Sequence, residues 1–560
     1  MIRFNIILLL IIVAISFSAC NDDFLERKPS DRINSETFFK QEKDLIFAVN
    51  AVYESLGVQA SWTWAGGYGT DMMRLETMTD NALDDHGNNA NYKLAYGIAS
   101  SYDGYCEGWW NTRYRGIQRV NRILEGEKDI TDIEEDFRAR LLAEAKFLRA
   151  YFYFDLAYLF GDVPYLTESI TPEDTKPTTG TDGEYKASEK VKRTPKEEIL
   201  NDLTKQLSTI AKDLPIQYDE NEKGRVTRGA ALALKARILL YQEKWDEAAA
   251  AAKAVMDLKT YSLYPSYQKM FDYDGLGNSE VIFDLQVMPD VDKGEFYYMN
   301  FGPNSIGGWS CTCPLQSLVD TYECIDGKSI SESSLFDPNN PYANRDPRLG
   351  YSILYPGHDW QGGVFNTIPG ATYPGKEIVP GDSYDNDNGS GWNVTPTGYN
   401  QLKYIAQSDI DESKHWENAV HFILIRYSDV LLMYAEAKVE ANDIDNSVYD
   451  AIDAIRGRDD VQLPAIAKGK SREELRQIVR RERRVELAFE GLRLLDIRRW
   501  KIAHEVMPGK PEGLTYTDSE GNSKTMTGGK TRIFEENKHY LWPIPQSEID
   551  ISHISQNPKW

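Results

Sequence analysis

Between Arg140 and Phe160 the apolar positions Leu141, Ala145, Leu148, Phe152, Leu156 and Leu159 recur every three or four residues, the signature of one helix face. The predicted helix stops at Gly161, with Pro164 just beyond it. An earlier segment, Trp109 to Leu124, keeps the same period through Tyr114, Ile117, Val120, Asn121 and Leu124. Two helices packed as neighbours are expected.

A clearer unit begins at Arg228, where Ala231, Leu234, Ala236, Leu239 and Tyr241 are followed by Trp245, Ala248, Ala252 and Val255. It resembles a tetratricopeptide repeat, in which small residues let two antiparallel helices approach while Tyr241 and Trp245 fill the turn. A second approximate copy runs from Tyr427 through Leu431, Tyr434, Ala435 and Ala437 into Val448, Ala451, Ile452 and Ile455. The two copies are separated by a long interruption.

Between about Ser262 and Glu417 helical periodicity fails, and Gly, Pro, Asn, Asp and aromatic residues accumulate, as in Gly307-Gly308-Trp309 and Gly389-Ser390-Gly391-Trp392. A stretch this long is expected to build a functional surface or small sheets of its own, with Val281 to Gln286 one such strand. The last long helix is predicted from Arg472 to about Ala503. Its apolar stripe, Leu475, Ile478, Val485, Phe489 and Leu492, carries Glu482 on the same face. A buried carboxylate there requires a cation, and Arg493 or Arg499 are available. The expected class is therefore mainly α, a tetratricopeptide-like helix-pair scaffold with an inserted, irregular, loop-rich region containing short strands. The divisions are 1–19, 20–261, 262–416 and 417–560.

The first nineteen residues fall outside this scheme. Arg3 is their only charge, and an unbroken apolar run from Ile6 to Ile15 follows it. That is a secretory leader, too short for the roughly 20 apolar residues a membrane span needs. Ser18 and Ala19 before Cys20 resemble the lipobox of bacterial lipoproteins, which makes Cys20 the expected site of acylation and anchoring. The formal net charge of the chain is −24, and −25 once Arg3 leaves with the leader, which argues against nucleic acid as a partner. Beyond Cys20 the cysteines are Cys106, Cys311, Cys313 and Cys324, too few for a disulfide scaffold and without zinc-knuckle spacing, so they read as structural thiols.

Further segments complete a pattern. Cys20-Asn21-Asp22-Asp23-Phe24-Leu25 leads to Lys28-Pro29-Ser30 and Thr37-Phe38-Phe39, then come Ala143 to Tyr151 and Phe160-Gly161-Asp162-Val163-Pro164. Arg426 to Ala437, Glu486 to Arg493, Leu541-Trp542-Pro543-Ile544-Pro545 and Gln556-Asn557-Pro558 follow. In this order the segments resemble the SusD/RagB family of outer-membrane nutrient-binding lipoproteins of Bacteroidetes. The resemblance implies a lipid-anchored protein on the cell surface that binds oligosaccharide, or in some members peptide, and serves as lid to a SusC-like TonB-dependent transporter. Asp22 and Asp23 resemble the family's surface-export signal. The family motifs mark scaffold, with Trp542-Pro543-Ile544-Pro545 reading as a rigid extended segment packed on helices.

Ligand residues must therefore come from chemistry. Sugar capture favours flat aromatic faces beside amides and carboxylates. Trp62 and Trp64, with Tyr68, Asp80 and Asn81 close behind, form one candidate cluster. Trp309, Trp360 and Trp392 lie among glycines of the irregular region and are further candidates, whereas Trp109, Trp110, Trp245 and Trp500 fall in helical patterns and read as core. No catalytic residue, cofactor or metal is expected. Asp382 to Gly389 fails the EF-hand register, because Tyr384 takes the first ligand position, and Pro508 stands where a zincin motif starting at His504 needs its second histidine. A surface glycoside hydrolase and a protein-binding helical-repeat adaptor are the competing functions, the first requiring a carboxylate pair that 87 acidic residues supply only by chance.

Overall fold

The computed structural model describes residues 38–57, 68–84, 86–87, 90–179, 185–289, 294–374, 376–380 and 393–560. Helices α1 (Glu42–Gly57), α2 (Gly104–Gly126), α3 (Glu135–Phe160) and α4 (Lys196–Ile210) form the N-terminal part. The predicted pair is present, and each helix begins earlier than its periodicity showed. From Phe147 to Phe160 every residue of α3 is buried, so this helix is enclosed on all sides, with Arg113 of α2 paired to its Asp155 at 2.8 Å.

Both repeat copies fold as helix pairs. The first is α5 (Arg228–Tyr241) and α6 (Trp245–Asp257), its entry capped by the Thr227 hydroxyl on the amide of Ala230. The second is α7 (Tyr427–Glu440) and α8 (Asn446–Arg456). Despite their distance in sequence, α7 packs along α6 and touches α5. Arg237 of α5 donates to Asp429 of α7 at 2.8 Å and to the carbonyl of Leu424 at 3.0 Å. The interruption thus leaves the helical stack and returns to it. One hydrophobic core runs from Leu45 to Ile554 and includes the sheet residues Phe283 and Phe422.

The insertion is built from short elements. Strand β2 (Val281–Leu285) fulfils the expected strand almost to its last residue and pairs antiparallel with β6 (Phe422–Arg426) at the foot of α7. β1 (Ala82–Leu83) pairs with β3 (Cys313–Pro314), and β4 (Asp359–Trp360) pairs with β5 (Gly363–Asn366). Among the described residues, no helix is long and apolar enough to cross a membrane.

The predicted helix from Arg472 to Ala503 is interrupted. Helix α9 (Arg472–Glu486), opened by a Ser471–Glu474 capping box, ends before a turn, and α10 (Arg493–Arg499) follows. Phe489 and Gly491 adopt φ of 63° and 77°, and a Cβ at Gly491 would lie 2.6 Å from the carbonyl oxygen of Met72. The carbonyls of Glu486 and Ala488 accept from the buried Lys403 ammonium at 3.3 and 2.9 Å instead of continuing a helix.

Glu482 is buried and ion-paired, but with different partners. Arg348 and Arg456 donate to it at 2.6 and 3.1 Å, whereas Arg493 pairs with Asp80 and Arg499 with Glu436. The segment Trp542-Pro543-Ile544-Pro545 packs as expected. Trp542 is 1% exposed, donates its amide to the Leu159 carbonyl at 2.7 Å, and sets its ring edge-on to Trp109 and Phe160.

Candidate functional site

Trp62, Trp64 and Trp392 lie outside the described residues, as do Cys20 and the run Asp382 to Gly389. Tyr68 opens a short helix, Tyr68–Arg74. Asp80 and Asn81 are described, and both belong to the scaffold. Arg493 grips both oxygens of Asp80 at 2.8 Å and Arg484 approaches at 3.0 Å. Burial alone would raise the Asp80 carboxyl, and these two arginines reverse that, holding it at about 2. Asn81 is fully buried, donates to Glu76 at 2.8 Å and accepts from Arg484 at 2.8 Å. Both side chains are thus engaged within the scaffold.

Glu76 below them carries a testable consequence. Burial pushes its carboxyl up to about 7 despite hydrogen bonds from Asn81 and the Gly491 amide. The folded chain therefore holds this proton more tightly than the unfolded chain. That contribution is complete below pH 4.5 and is lost as pH rises to about 7. Glu76→Gln removes the titration, so its stability relative to the parent should climb by about 2–3 kcal/mol between pH 5 and pH 8. Denaturant midpoints across that range measure it, and a constant difference would refute the assignment.

Trp360 is also inward-facing. Gln361 and Gly362, with φ of 47° and 79°, form a two-residue hairpin turn between β4 and β5. Strand alternation then exposes Asp359 and buries Trp360 against Leu354 and Phe365, leaving it 7% exposed. The glycines that suggested a projecting side chain instead make the turn that hides it.

Trp309 stays at the surface, half-buried, and the fold adds two rings to it. Trp416 stands edge-on to Trp309 with centroids 5.7 Å apart, and Phe296 stands edge-on to Trp416 at 5.1 Å. Trp416 is 36% exposed, while Phe296 is half-buried. Beside this corner the Tyr298 ring stacks on His415 at 5.0 Å, its hydroxyl 3.2 Å from the imidazole Nε2 and bonded to the Ile306 carbonyl. Aromatic faces with polar edges are thus gathered at one place.

The backbone holds this corner rigidly. Glu295 and Asn418 exchange backbone hydrogen bonds at 2.8 and 3.1 Å, which sets Phe296 and Trp416 on adjoining segments. The Trp309 amide donates to the Met299 carbonyl at 2.7 Å in the short helix Tyr297–Phe301. Gly308 permits that approach, because a Cβ there would lie 2.1 Å from the Gly302 carbonyl oxygen. The Glu295 carboxylate accepts from the amides of Gly69 and Thr70 at 2.9 and 3.1 Å, tying the corner to the start of the Tyr68–Arg74 helix. Asn418 donates to Asp409 at 3.0 Å, and burial pushes the Asp409 carboxyl up to about 6.

Trp416 and Phe296 were not singled out by sequence. Trp416 lacks the neighbouring glycines that picked Trp309, sitting in Lys414-His415-Trp416-Glu417 at the end of the irregular region. A separate cavity of about 670 Å³ opens near Lys196, Tyr158 and Arg498 at another face. Its arginines are partly committed, Arg499 to Glu436 and Asp496, and Arg193 to backbone carbonyls of Asp162 and Ser555.

Fold and site together define a helical-repeat scaffold whose inserted region presents an exposed aromatic corner. Residues 279–560 match the SusD family, and residues 23–240 match a family described as "Starch-binding associating with outer membrane". The chain belongs to the SusD family. A SusD-like carbohydrate binding protein from Bacteroides fragilis is 30% identical, with a TM-score of 0.77 over 92% of this chain and 99% of its own. SusD-like protein P25 of Formosa agariphila is 25% identical over 98% of this chain and 97% of its own length. A laminarin binding SusD-like protein, 22% identical with a TM-score of 0.69, shares the fold over 93% of this chain and its entire own length.

Proposed function

We propose that this protein is a cell-surface lipoprotein of the outer membrane that captures oligosaccharide and passes it to a SusC-like TonB-dependent transporter, over which it acts as a lid. The observation that carries the proposal is the corner of Phe296, Trp309 and Trp416, in which Trp416 meets Trp309 at 69° and Phe296 at 85° on a braced backbone. Such faces shed water against the apolar side of a pyranose, and preorganisation reduces what binding must order. The carbohydrate-binding relative from Bacteroides fragilis supports the ligand class, and the outer-membrane family match supports the location.

The protein binds without cleaving. A glycosidase sets two free carboxyl groups across the bond. The buried carboxylates beside this corner are committed to structure, Glu295 to Gly69 and Thr70, and Asp409 to Tyr273 and Asn418. Calorimetric titration of the purified protein against an oligosaccharide panel, with mass spectrometry of the recovered sugar, tests this reading. Binding with unchanged chain length is expected, and shortened product would overturn it.

The anchor is tested separately. Cys20→Ala should move most of the protein from the outer-membrane fraction to the soluble fraction or leave it unexported. Full retention on the cell surface would mean that the transporter, not the acyl chains, holds it.

A further inference from the structure

The β1–β3 pair brings together three side chains that the sugar corner does not use. Leu83 lies opposite Cys313, so Asp84 and His86 continue past the end of β1 beside the chain that leads from Trp309 into β3. Asp84 is fully buried, Cys311 is 2% exposed, and the His86 side chain is 22% exposed. One donor atom from each, carboxylate oxygen, imidazole nitrogen and thiol sulfur, lies within 4.8 Å of the other two.

The geometry points to a transition-metal site formed by Asp84, His86 and Cys311, suited to Zn²⁺. A thiolate, an imidazole and a carboxylate make a borderline-soft donor set that favours Zn²⁺ over Ca²⁺ or Mg²⁺, which take oxygen ligands. Tetrahedral bonds of about 2.0–2.3 Å place donor atoms roughly 3.3–3.8 Å apart. His86 Nδ1 now lies 2.9 Å from Asp84 Oδ1, and a bound ion would take the place of that hydrogen bond. The fourth position is left for water, while the side-chain oxygen of Asn393, 3.3 Å from the His86 Nε2 on the ring edge away from Asp84, would orient the imidazole.

The surroundings orient the donors. Asn91 donates to Asp84 Oδ2 at 3.3 Å and to the Thr77 hydroxyl at 2.8 Å, while the His86 amide donates to Asp84 Oδ1 at 3.0 Å. Partners of this kind fix a ligand's orientation in metal sites. His86 is the exposed member and gives the ion its entry. Binding converts the Cys311 thiol to thiolate, and the proton leaves to solvent. The site would fasten Asp84 and His86 to the chain that leads from Trp309 into β3.

The test uses the purified, chelator-stripped protein titrated with Co²⁺ alone and then Zn²⁺. One equivalent of Co²⁺ should give an intense near-ultraviolet thiolate-to-cobalt band that Zn²⁺ abolishes. Cys311→Ser should lose the band, His86→Ala should weaken Co²⁺ binding at least 10-fold, and Cys324→Ser should behave as the parent. Absence of the band in the parent overturns the proposal whether or not the variants fold. Its survival in Cys311→Ser, or unchanged affinity in His86→Ala, does so as well.

Discussion

Replacing Arg426 with methionine should lower the free energy of unfolding by about 3–5 kcal/mol, the range expected when one partner of a buried ion cluster is removed. Arg426 is 1% exposed and donates to Glu280 and Glu486 at 2.7 Å, to both oxygens of Glu490 at 2.7 and 2.8 Å, and to the Glu486 carbonyl at 2.7 Å. Arg458 also serves Glu280 and Glu486, and Arg348 also serves Glu486, yet among the described residues Glu490 would keep only Lys403 of its ion pairs. Methionine fills much of the volume and supplies no donor. Adding Glu490→Gln should recover part of the loss, because the two side chains share one network. Denaturant unfolding measures both effects, and a change below about 1 kcal/mol would show that the cluster adds little.

The same cluster governs acid stability. Burial works to raise the carboxyls of Glu280, Glu482 and Glu486, and their arginines more than reverse it, so all three sit below the ordinary carboxylate range. Their contribution is present above pH 4.5 and is lost as pH falls through the depressed values.

The second large effect concerns binding. Trp416→Ala and Trp309→Ala should each weaken oligosaccharide affinity by roughly 30-fold, since truncating an aromatic anchor typically costs about 2 kcal/mol. The double variant should lose less than the product of the two, because removing either ring also takes away the other's edge-on neighbour. Neither ring belongs to the deep core, so thermal stability should change far less than affinity. Calorimetric titration with the tightest oligosaccharide measures this, and parent-like affinity in both variants would remove the corner from the site.

The helix pairs were legible because their packing is local. The small residues of Arg228 to Val255 and of Tyr427 to Ile455 recur at helical spacing, and both segments fold as read. The break after Glu486 was hidden because the apolar period continues through Phe489 and Leu492, while its causes, Met72 and Lys403, come from remote parts of the chain. Glu482 was recognised as buried, but its partners Arg348 and Arg456 are brought in by tertiary folding. Asp80 shows the same limit, since a polar residue near two tryptophans looks free until Arg493 and Arg484 arrive from the far end of the chain. Only packing decided that Trp360 turns inward while Trp309 meets Trp416 at the surface.

Oxidative footprinting of the tryptophans with and without saturating oligosaccharide tests the central claim most directly. Trp309 and Trp416 should both become protected when sugar binds, while Trp500, half-buried between α10 and the arginines around it, keeps its reactivity. Sugar that binds and leaves both Trp309 and Trp416 as reactive as before would contradict the account.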